Sequence, residues 1–183
     1  IGYKSETINT LRLWQAENSN DFNFKDFDDM KGESNAIEDY KANEITYVLY
    51  PNDNTIQGKY LRLRQEYFMV SATLQDFIRK YKAKGFKWSD MKEHQIWQLN
   101  DTHPTLAIPE FIRLLNIEGL SYTQALEIAK GCFNFTNHTI MGEALEKWPV
   151  SMLRDLIPDV LNVIEYLQTV ISLELNNTDL YII

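Results

Sequence analysis

Three short polar stretches carry the side chains best suited to binding a ligand. Residues 50–54, 100–104 and 137–143 are rich in Asn, Asp, His and Thr. Amides, hydroxyls and carboxylates of this kind offer hydrogen-bond donors and acceptors at short range. The mixture suits hydroxyl-bearing ligands such as sugars better than phosphates, which favour Arg, Lys and backbone amides. Each stretch also has a purely structural interpretation, because Asx-rich turns cap helices and close loops in any fold.

The histidines and the cysteine form no recognisable metal-binding or nucleophile motif. His94, His103 and His138 have no spacing that resembles His-Glu-x-x-His, and one cysteine cannot supply a zinc-binding pair. The sequence also has no glycine-rich nucleotide loop and no Gly-x-Ser-x-Gly elbow. Cys132 lies at the end of a predicted helix and is expected to be a buried, inert thiol. We therefore predict no metal site in this chain.

Composition and charge favour a globular domain over a nucleic-acid-binding or membrane-spanning protein. The 183 residues are 44% hydrophobic and 24% charged, which is typical of a globular domain with a substantial core. A net charge of −8 opposes general binding to nucleic acid or anionic lipid. No stretch approaches the roughly 20 apolar residues of a membrane span. The lone cysteine excludes an internal disulfide and fits a reducing compartment such as the cytoplasm.

The elements that must position the polar stretches begin with a strand and two helices. Alternating apolar and polar residues at 7–14 predict a partly buried strand, and residues 18–35 predict a loop followed by a helix start. Good helix formers at 35–49 predict a helix that Pro51 ends. A long amphipathic helix is predicted over 59–84, with an apolar face at three- and four-residue spacing and Glu66 on its polar side. The apolar face comprises Tyr67, Val70, Leu74, Phe77, Ile78 and Tyr81.

Short strands and helices alternate along the rest of the chain. Strands are predicted at 95–99 and 133–137, and helices at about 105–119, 121–131, 145–157 (with a break at Pro149) and 159–174. This alternation indicates an α/β fold with a parallel sheet and helices on its faces. In such sheets ligands bind outside the carboxyl ends of the strands, which selects the turns at 100–104 and 137–143. We assign residues 1–183 to one partial domain, and the absence of an initiating Met and of a terminal signature suggests a fragment.

Eight strings in order resemble the glycogen and starch (α-glucan) phosphorylases. They are TINTLRLW at 7–14, VLYPNDN at 48–54, LRLRQEYF at 61–68, SATLQD at 71–76, QLNDTHP at 98–104, LAIPE at 106–110, TNHT at 136–139 and EALEKWP at 143–149. One such string is weak, whereas eight at the expected spacing are highly specific. The resemblance spans essentially the whole chain.

The resemblance implies a fold, a reaction and a cofactor. The fold is a two-lobed (GT-B type) glycosyltransferase of facing Rossmann-like domains, with this chain in the second half of the N-terminal lobe. The family cleaves the terminal α-1,4 link of a glucan with inorganic phosphate and releases glucose 1-phosphate. It uses pyridoxal 5′-phosphate held by a lysine of the C-terminal lobe, outside this chain. The helix before Tyr50 matches the dimer-contacting tower of the family, which implies a homodimer. A plastid location is implied if the source is a plant or alga.

The resemblance also implies roles for individual residues. It implies that His138 contacts the 6-hydroxyl of the transferred glucose, and that the backbone carbonyl of His138 contacts the region of C1. It also implies that Asn54 hydrogen-bonds the same sugar. The remaining matched positions divide into a gating loop, an acceptor channel with its wall, and an allosteric nucleotide-phosphate site. They are Asp53 in the loop, Tyr50, Arg62, Asp101 and His103 lining the channel, Glu143 and Ala144 on its wall, and Arg79 and Lys80 at the phosphate site.

Two departures and one alternative accompany the resemblance. Thr55 stands where the family usually has an aromatic residue, and Gly142 where Pro is usual. The Arg79–Lys80 pair also has the ordinary meaning of a solvated helix end, since its family partners lie outside this sequence. The alternative to an enzyme is a non-catalytic glucan-binding relative that kept the fold and lost the chemistry. The isolated 183 residues are expected to be inactive.

Overall fold

The structure is a computed structural model, and it describes residues 3–18, 32–142 and 145–175, with the backbone alone for 32–36. The chain divides into two compact units, Ile1–Asn52 and Asp53–Ile183. The assignment of all 183 residues to one partial domain stays a prediction.

The first unit contains helix α1 (Gly32–Tyr47), which confirms the helix predicted before Pro51. The strand predicted at 7–14 is wrong, because the backbone there is irregular and Ile8, Leu11 and Leu13 are 86%, 86% and 87% exposed. A strand needs a neighbour for its backbone hydrogen bonds, and the described part of this unit offers only a helix. Most of the loop predicted at 18–35 lies outside the described residues.

The second unit alternates helices with two short strands, as the sequence predicts. In order they are α2 (Ile56–Ala83), a 3-10 helix (Trp88–Glu93), β1 (Trp97–Asn100), α3 (Ala107–Ile117), α4 (Tyr122–Cys132), β2 (Phe133–Thr136), α5 (Val150–Leu156) and α6 (Pro158–Glu174). The two strands are parallel, with Trp97 opposite Phe133 and Asn100 opposite Thr136. The unit is thus a mixed structure of helices and a small parallel sheet.

Helix α2 begins three residues earlier than predicted because Thr55 caps it. The Thr55 hydroxyl accepts a hydrogen bond from the Gly58 N–H at 3.0 Å, which satisfies one of the free amides of the first turn. The helix ends before Gly85, whose φ of +69° is a conformation that glycine adopts without strain. Half of the predicted apolar face is buried and the other half is partly buried, whereas Glu66, predicted on the polar face, is only 7% exposed.

Local signals also fix the later helices. The capping box predicted at Ser121 is present: its hydroxyl accepts from the Gln124 N–H at 3.2 Å, and the Gln124 side chain accepts from the Ser121 N–H at 2.9 Å. The helix predicted over 145–157 is shorter than expected. It begins only after Pro149, and residues 146–149 have no regular structure.

The core of the second unit is built around Phe111 of α3, which is fully buried. Its ring lies 5.4 Å from that of Trp97 and 5.3 Å from that of Phe133, so one residue from each strand packs on the same helix. Cys132 is also fully buried, as predicted, and its burial raises the pKa of the thiol. This packing fixes the two strands against α3 and thereby fixes where their carboxyl ends lie.

Candidate functional site

The carboxyl ends of β1 and β2 bring two of the predicted turns together. Asn100 and Thr136 are opposite each other at the last paired position of the sheet. The Asp101 N–H donates to the Thr136 carbonyl at 2.8 Å, which continues the pairing one residue beyond β1. The turns that follow the two strands therefore start side by side, at the edge where parallel sheets bind ligands.

Asp101 and His138 are in direct contact at this edge. The His138 N–H donates to Asp101 Oδ1 at 2.6 Å, and His138 Nδ1 lies 3.5 Å from the same oxygen. Asp101 has a φ of +63°, a left-handed conformation that is uncommon outside glycine and that Asp tolerates better than most residues. The His138 side chain is 57% exposed, so its imidazole faces space that a ligand could occupy.

The residues on either side of His138 form a closed turn. The Asn137 side-chain amide donates to the Thr139 carbonyl at 2.9 Å, and Asn137 Oδ1 accepts from the Thr139 N–H at 3.1 Å. The Thr139 hydroxyl in turn accepts from the Met141 N–H at 3.3 Å. These local bonds stabilise a non-helical backbone in the manner of Asx turns. They fix His138 from both sides while leaving its ring exposed.

A second group of residues adjoins this edge through Thr102. The Thr102 hydroxyl accepts a hydrogen bond from the Glu146 N–H at 3.4 Å, and the Glu146 side chain is hydrogen-bonded to that of Glu66 on α2. Arg62, one turn earlier on α2, places its Nε 3.2 Å from Glu66 Oε1. Asp53 is close enough to raise the pKa of Glu66 by its charge.

The pKa of Glu66 is raised from 4.5 to about 9. Burial is the largest cause, followed by the hydrogen bond with Glu146 and the negative charge of that residue, while Arg62 opposes the shift. A carboxyl group with such a pKa is protonated at neutral pH. The sequence alone singles out neither Glu66 nor Glu146 as a site residue. Helical periodicity places Glu66 among polar neighbours, and no sequence signal links it to a residue 80 positions later.

The other predicted site residues have different surroundings. His103 is partly buried in the turn after Asp101, and Asn54 is exposed just before the Thr55 cap of α2. Tyr50 belongs to the first unit, where it is 66% exposed with a φ of +57°. Glu143 and Ala144 lie outside the described residues.

Arg79 and Lys80 lie far from this edge, near the other end of α2. Seventeen residues separate Arg79 from Arg62, which corresponds to about 25 Å along a helix. Both cations pair with Asp76, with Arg79 Nη2 at 2.8 Å from Asp76 Oδ1. Their shared partner supports the interpretation of a solvated, ion-paired helix end.

The described lysines do not fit a pyridoxal phosphate site. All are exposed except Lys80, which is partly exposed and paired with Asp76. The hydrogen bond to Glu127 raises the pKa of Lys130, which favours its charged form. A Schiff-base lysine must instead be able to lose its proton. In the part of the chain that the structure describes, there is also no group of three His, Cys, Asp or Glu that could hold a metal, and no helix is long and apolar enough to cross a membrane.

Comparisons with known proteins agree with the motifs at this edge. Residues 1–179 match the sequence profile of a family described as carbohydrate phosphorylase. The liver form of glycogen phosphorylase from Ovis aries is 47% identical over 172 residues, and the brain form from Bos taurus is 48% identical over 173. The brain form from Homo sapiens is 46% identical over 172 residues. Each match covers 89% of this chain and 20% of the relative, so the chain spans about a fifth of the length of these proteins. The chain belongs to the carbohydrate phosphorylase family.

Proposed function

We propose that this chain is part of an α-glucan phosphorylase and contributes residues that bind the transferred glucose and the acceptor glucan. The whole enzyme would cleave the terminal α-1,4 link of glycogen, starch or maltodextrin with inorganic phosphate and release glucose 1-phosphate. Family membership and relatives named glycogen phosphorylase support this reaction. The parallel sheet with flanking helices supports a Rossmann-like N-terminal lobe of a GT-B type enzyme.

The contact between Asp101 and His138 carries the proposal. It holds the backbone of His138 at the carboxyl edge of the sheet with a 2.6 Å hydrogen bond and leaves the imidazole exposed. Breaking a glycosidic bond develops positive charge at C1 of the sugar in an oxocarbenium-like transition state. A fixed carbonyl dipole near C1 stabilises that charge without having to reorganise. In this proposal the His138 carbonyl supplies the dipole and its imidazole binds a sugar hydroxyl.

The other residues matched by the resemblance would bind the sugars on either side of the scissile bond. Asn54 would hydrogen-bond the transferred glucose, and Asp53 would belong to a loop that gates it. The acceptor channel would be lined by polar and aromatic side chains, since these bind pyranose hydroxyls and faces. They are Tyr50, Arg62, Asp101 and His103. By the same resemblance Glu143 and Ala144 would lie on the channel wall.

We propose the cofactor, the oligomeric state and the cellular location of the whole protein from its family. Pyridoxal 5′-phosphate would be bound by a lysine beyond this chain, in agreement with the exposed lysines described above, and it would supply acid–base chemistry at its phosphate. The whole protein would be a cytoplasmic homodimer. Allosteric anion binding at Arg79 and Lys80 would have to compete with their common partner Asp76.

The replacement His138→Ala tests the proposed role in the full-length protein. Removing the imidazole takes away one preorganised polar group, so we expect kcat for glucose 1-phosphate formation to fall by the equivalent of about 2–4 kcal/mol. The matched control is His94→Ala, because His94 is an exposed histidine that stacks on Phe86 near the far end of α2. Equal kcat values for the His138→Ala variant and the wild type would refute the role given to His138. A wild type that binds glucan without forming glucose 1-phosphate would support the non-catalytic alternative.

A further inference from the structure

Glu66 is a buried carboxyl group whose negative charge would be opposed by Arg62 but not satisfied by a hydrogen bond at Oε1. Its side chain is 5% exposed, and its Oε1 atom is shielded from solvent and accepts no hydrogen bond. Arg62 Nε lies 3.2 Å from that atom, but the geometry does not make a hydrogen bond. Burying an ionised carboxylate without hydrogen-bond donors is costly, and such a group keeps its proton instead.

The hydrogen bond between Glu66 and Glu146 leads to the same conclusion. An ionised carboxylate only accepts hydrogen bonds, so two glutamates can bond to each other only if one of them carries a proton. Glu66 is the more buried of the two, and the same burial raises its pKa to about 9. The contact therefore requires a proton at neutral pH, and the burial of Glu66 favours that residue as its carrier.

This bond joins α2 to the segment formed by residues 145–149. The segment has no regular structure. Its printed backbone bonds go to near neighbours in sequence, Gly142, Met152 and Leu153. The 3.4 Å bond from the Glu146 N–H to Thr102 links it to the sheet edge. Glu66, Thr102 and Glu146 all line one groove of about 690 Å³, which is otherwise mostly apolar. Thr102 directly follows Asp101, the residue that holds His138. Glu146 thus connects α2 to the edge of the sheet.

We propose that Glu66 and Glu146 share one proton, and that this carboxyl–carboxylate hydrogen bond positions the 145–149 segment beside the candidate sugar-binding edge. Both are positioning residues, since they act through Thr102 and the turn that follows β1. The effect on glucan binding rests on the proposed function, whereas the shared proton does not.

The charges around the pair favour retention of the proton. Asp53, before α2, adds negative charge, and Arg62 on the same helix adds positive charge. Lys147 follows Glu146 in the groove, which Lys130 of α4 and Glu174 of α6 also line. Lys130 pairs with Glu127 at 2.9 Å and with Glu174 at 3.5 Å. This leaves Arg62 and Lys147 as the cations to oppose Asp53 and Glu146.

Infrared difference spectroscopy of the full-length protein tests the proton directly. Wild type minus Glu66→Gln at pH 7 should contain the carbonyl-stretch band of a protonated carboxylic acid, and the band should disappear as the pH rises through about 9. The control, Glu93→Gln, changes an exposed glutamate of the 3-10 helix and should produce no such band. A wild-type difference spectrum without the acid band at pH 7 would overturn the proposal.

Kinetics test the positioning role. Glu66→Gln retains a neutral donor for Glu146, so its KM for glucan should stay within about twofold of wild type, while Glu66→Ala should raise KM about tenfold, as expected for losing a hydrogen bond to a charged group. Wild-type KM should rise at alkaline pH, and that of Glu66→Gln should not. Equal KM values for Glu66→Gln and Glu66→Ala at pH 7 would contradict the role. The infrared result decides whether the proton is shared even if the wild type forms no glucose 1-phosphate, which separates failure of this inference from failure of the proposed function.

Discussion

Two buried glutamates in the second unit differ in how far their surroundings compensate a negative charge. Glu110 of α3 is fully buried and receives two hydrogen bonds from Arg113, at 2.7 and 2.8 Å, and one from Ser71 at 2.6 Å. Tyr67 adds a weaker contact at 3.4 Å. Glu66 is buried almost as deeply, at 7% exposure, but its partners are Arg62, whose Nε lies 3.2 Å away without a hydrogen bond to Oε1, and a second carboxyl group, that of Glu146.

The difference separates a structural charge from a candidate functional one. A buried carboxylate with a bidentate arginine and a hydroxyl has its hydrogen-bonding capacity filled, and the bond to Glu110 raises the pKa of Arg113. A buried carboxyl with a strongly shifted pKa, in a groove beside exposed polar residues, is the arrangement typical of functional sites. We therefore assign Glu110 to the stabilisation of α2–α3 packing and Glu66 to the candidate functional site beside the sheet edge.

The largest expected effect is the loss of Glu110. Glu110→Ala leaves Arg113 and Ser71 without their partner inside the core, so the free energy of opening of α3 should fall by about 3–5 kcal/mol. Hydrogen exchange of α3 amides in the full-length protein measures this free energy. The double variant Glu110→Met with Arg113→Met should cost less, because no charge remains buried. A fall below about 1 kcal/mol in the single variant would show that the network contributes little.

The pH dependence of stability tests the difference between the two glutamates through the proton on Glu66. Between about pH 5 and 9 the folded protein holds a proton on Glu66 that the unfolded chain releases. Stability should therefore decrease as the pH rises, by up to about 1.4 kcal/mol per pH unit from this group. Glu66→Gln should remove that slope. Hydrogen exchange of α2 amides, corrected for the intrinsic rate at each pH, provides the measurement, and identical slopes in both proteins would contradict the assignment.

A smaller effect is expected at Asp101, on the exposed edge of the sheet. Asp101→Ala removes the acceptor for the His138 N–H. It also places an alanine, which has no polar side chain to bond the local backbone, at a φ of +63°. We expect the 136–142 turn to lose about 1–2 kcal/mol. Asp101→Asn keeps an acceptor oxygen and tolerates this conformation, so it is the matched control. Hydrogen exchange of the turn compares the two, and equal losses would contradict the explanation.

Elements with strong local signals were predictable from the sequence. The capping box at Ser121, Gly85 after the long helix and the short strands before the two turns all lie within a few residues of their predicted places. The juxtaposition of Asp101 and His138 also follows, since consecutive parallel strands bring their carboxyl ends to one edge. Local chemistry and topology together were sufficient there.

Features that depend on a distant partner were not predictable. Residues 7–14 have the alternation of a strand, but a strand forms only where a second one lies beside it. Glu66 carries no sequence sign of burial, because its environment comes from a residue 80 positions away. Thr55 is missed for a different reason. Its partner, the Gly58 N–H, is local, but Thr55 is identified as a helix cap only once α2 is known to begin at Ile56.

The alignment of the two strands fixes the spacing of the two turns. Because Asn100 is opposite Thr136, Asp101 starts level with Asn137 and can reach the amide of the next residue. Moving β2 by a single position would shift its turn by about 3.3 Å and send every side chain to the opposite face. The core rings of Trp97 and Phe133, stacked 4.9 Å apart, oppose such a move. Side chains inside the protein thus set a distance on its surface, and a substitution at either ring would alter the candidate site without contacting it.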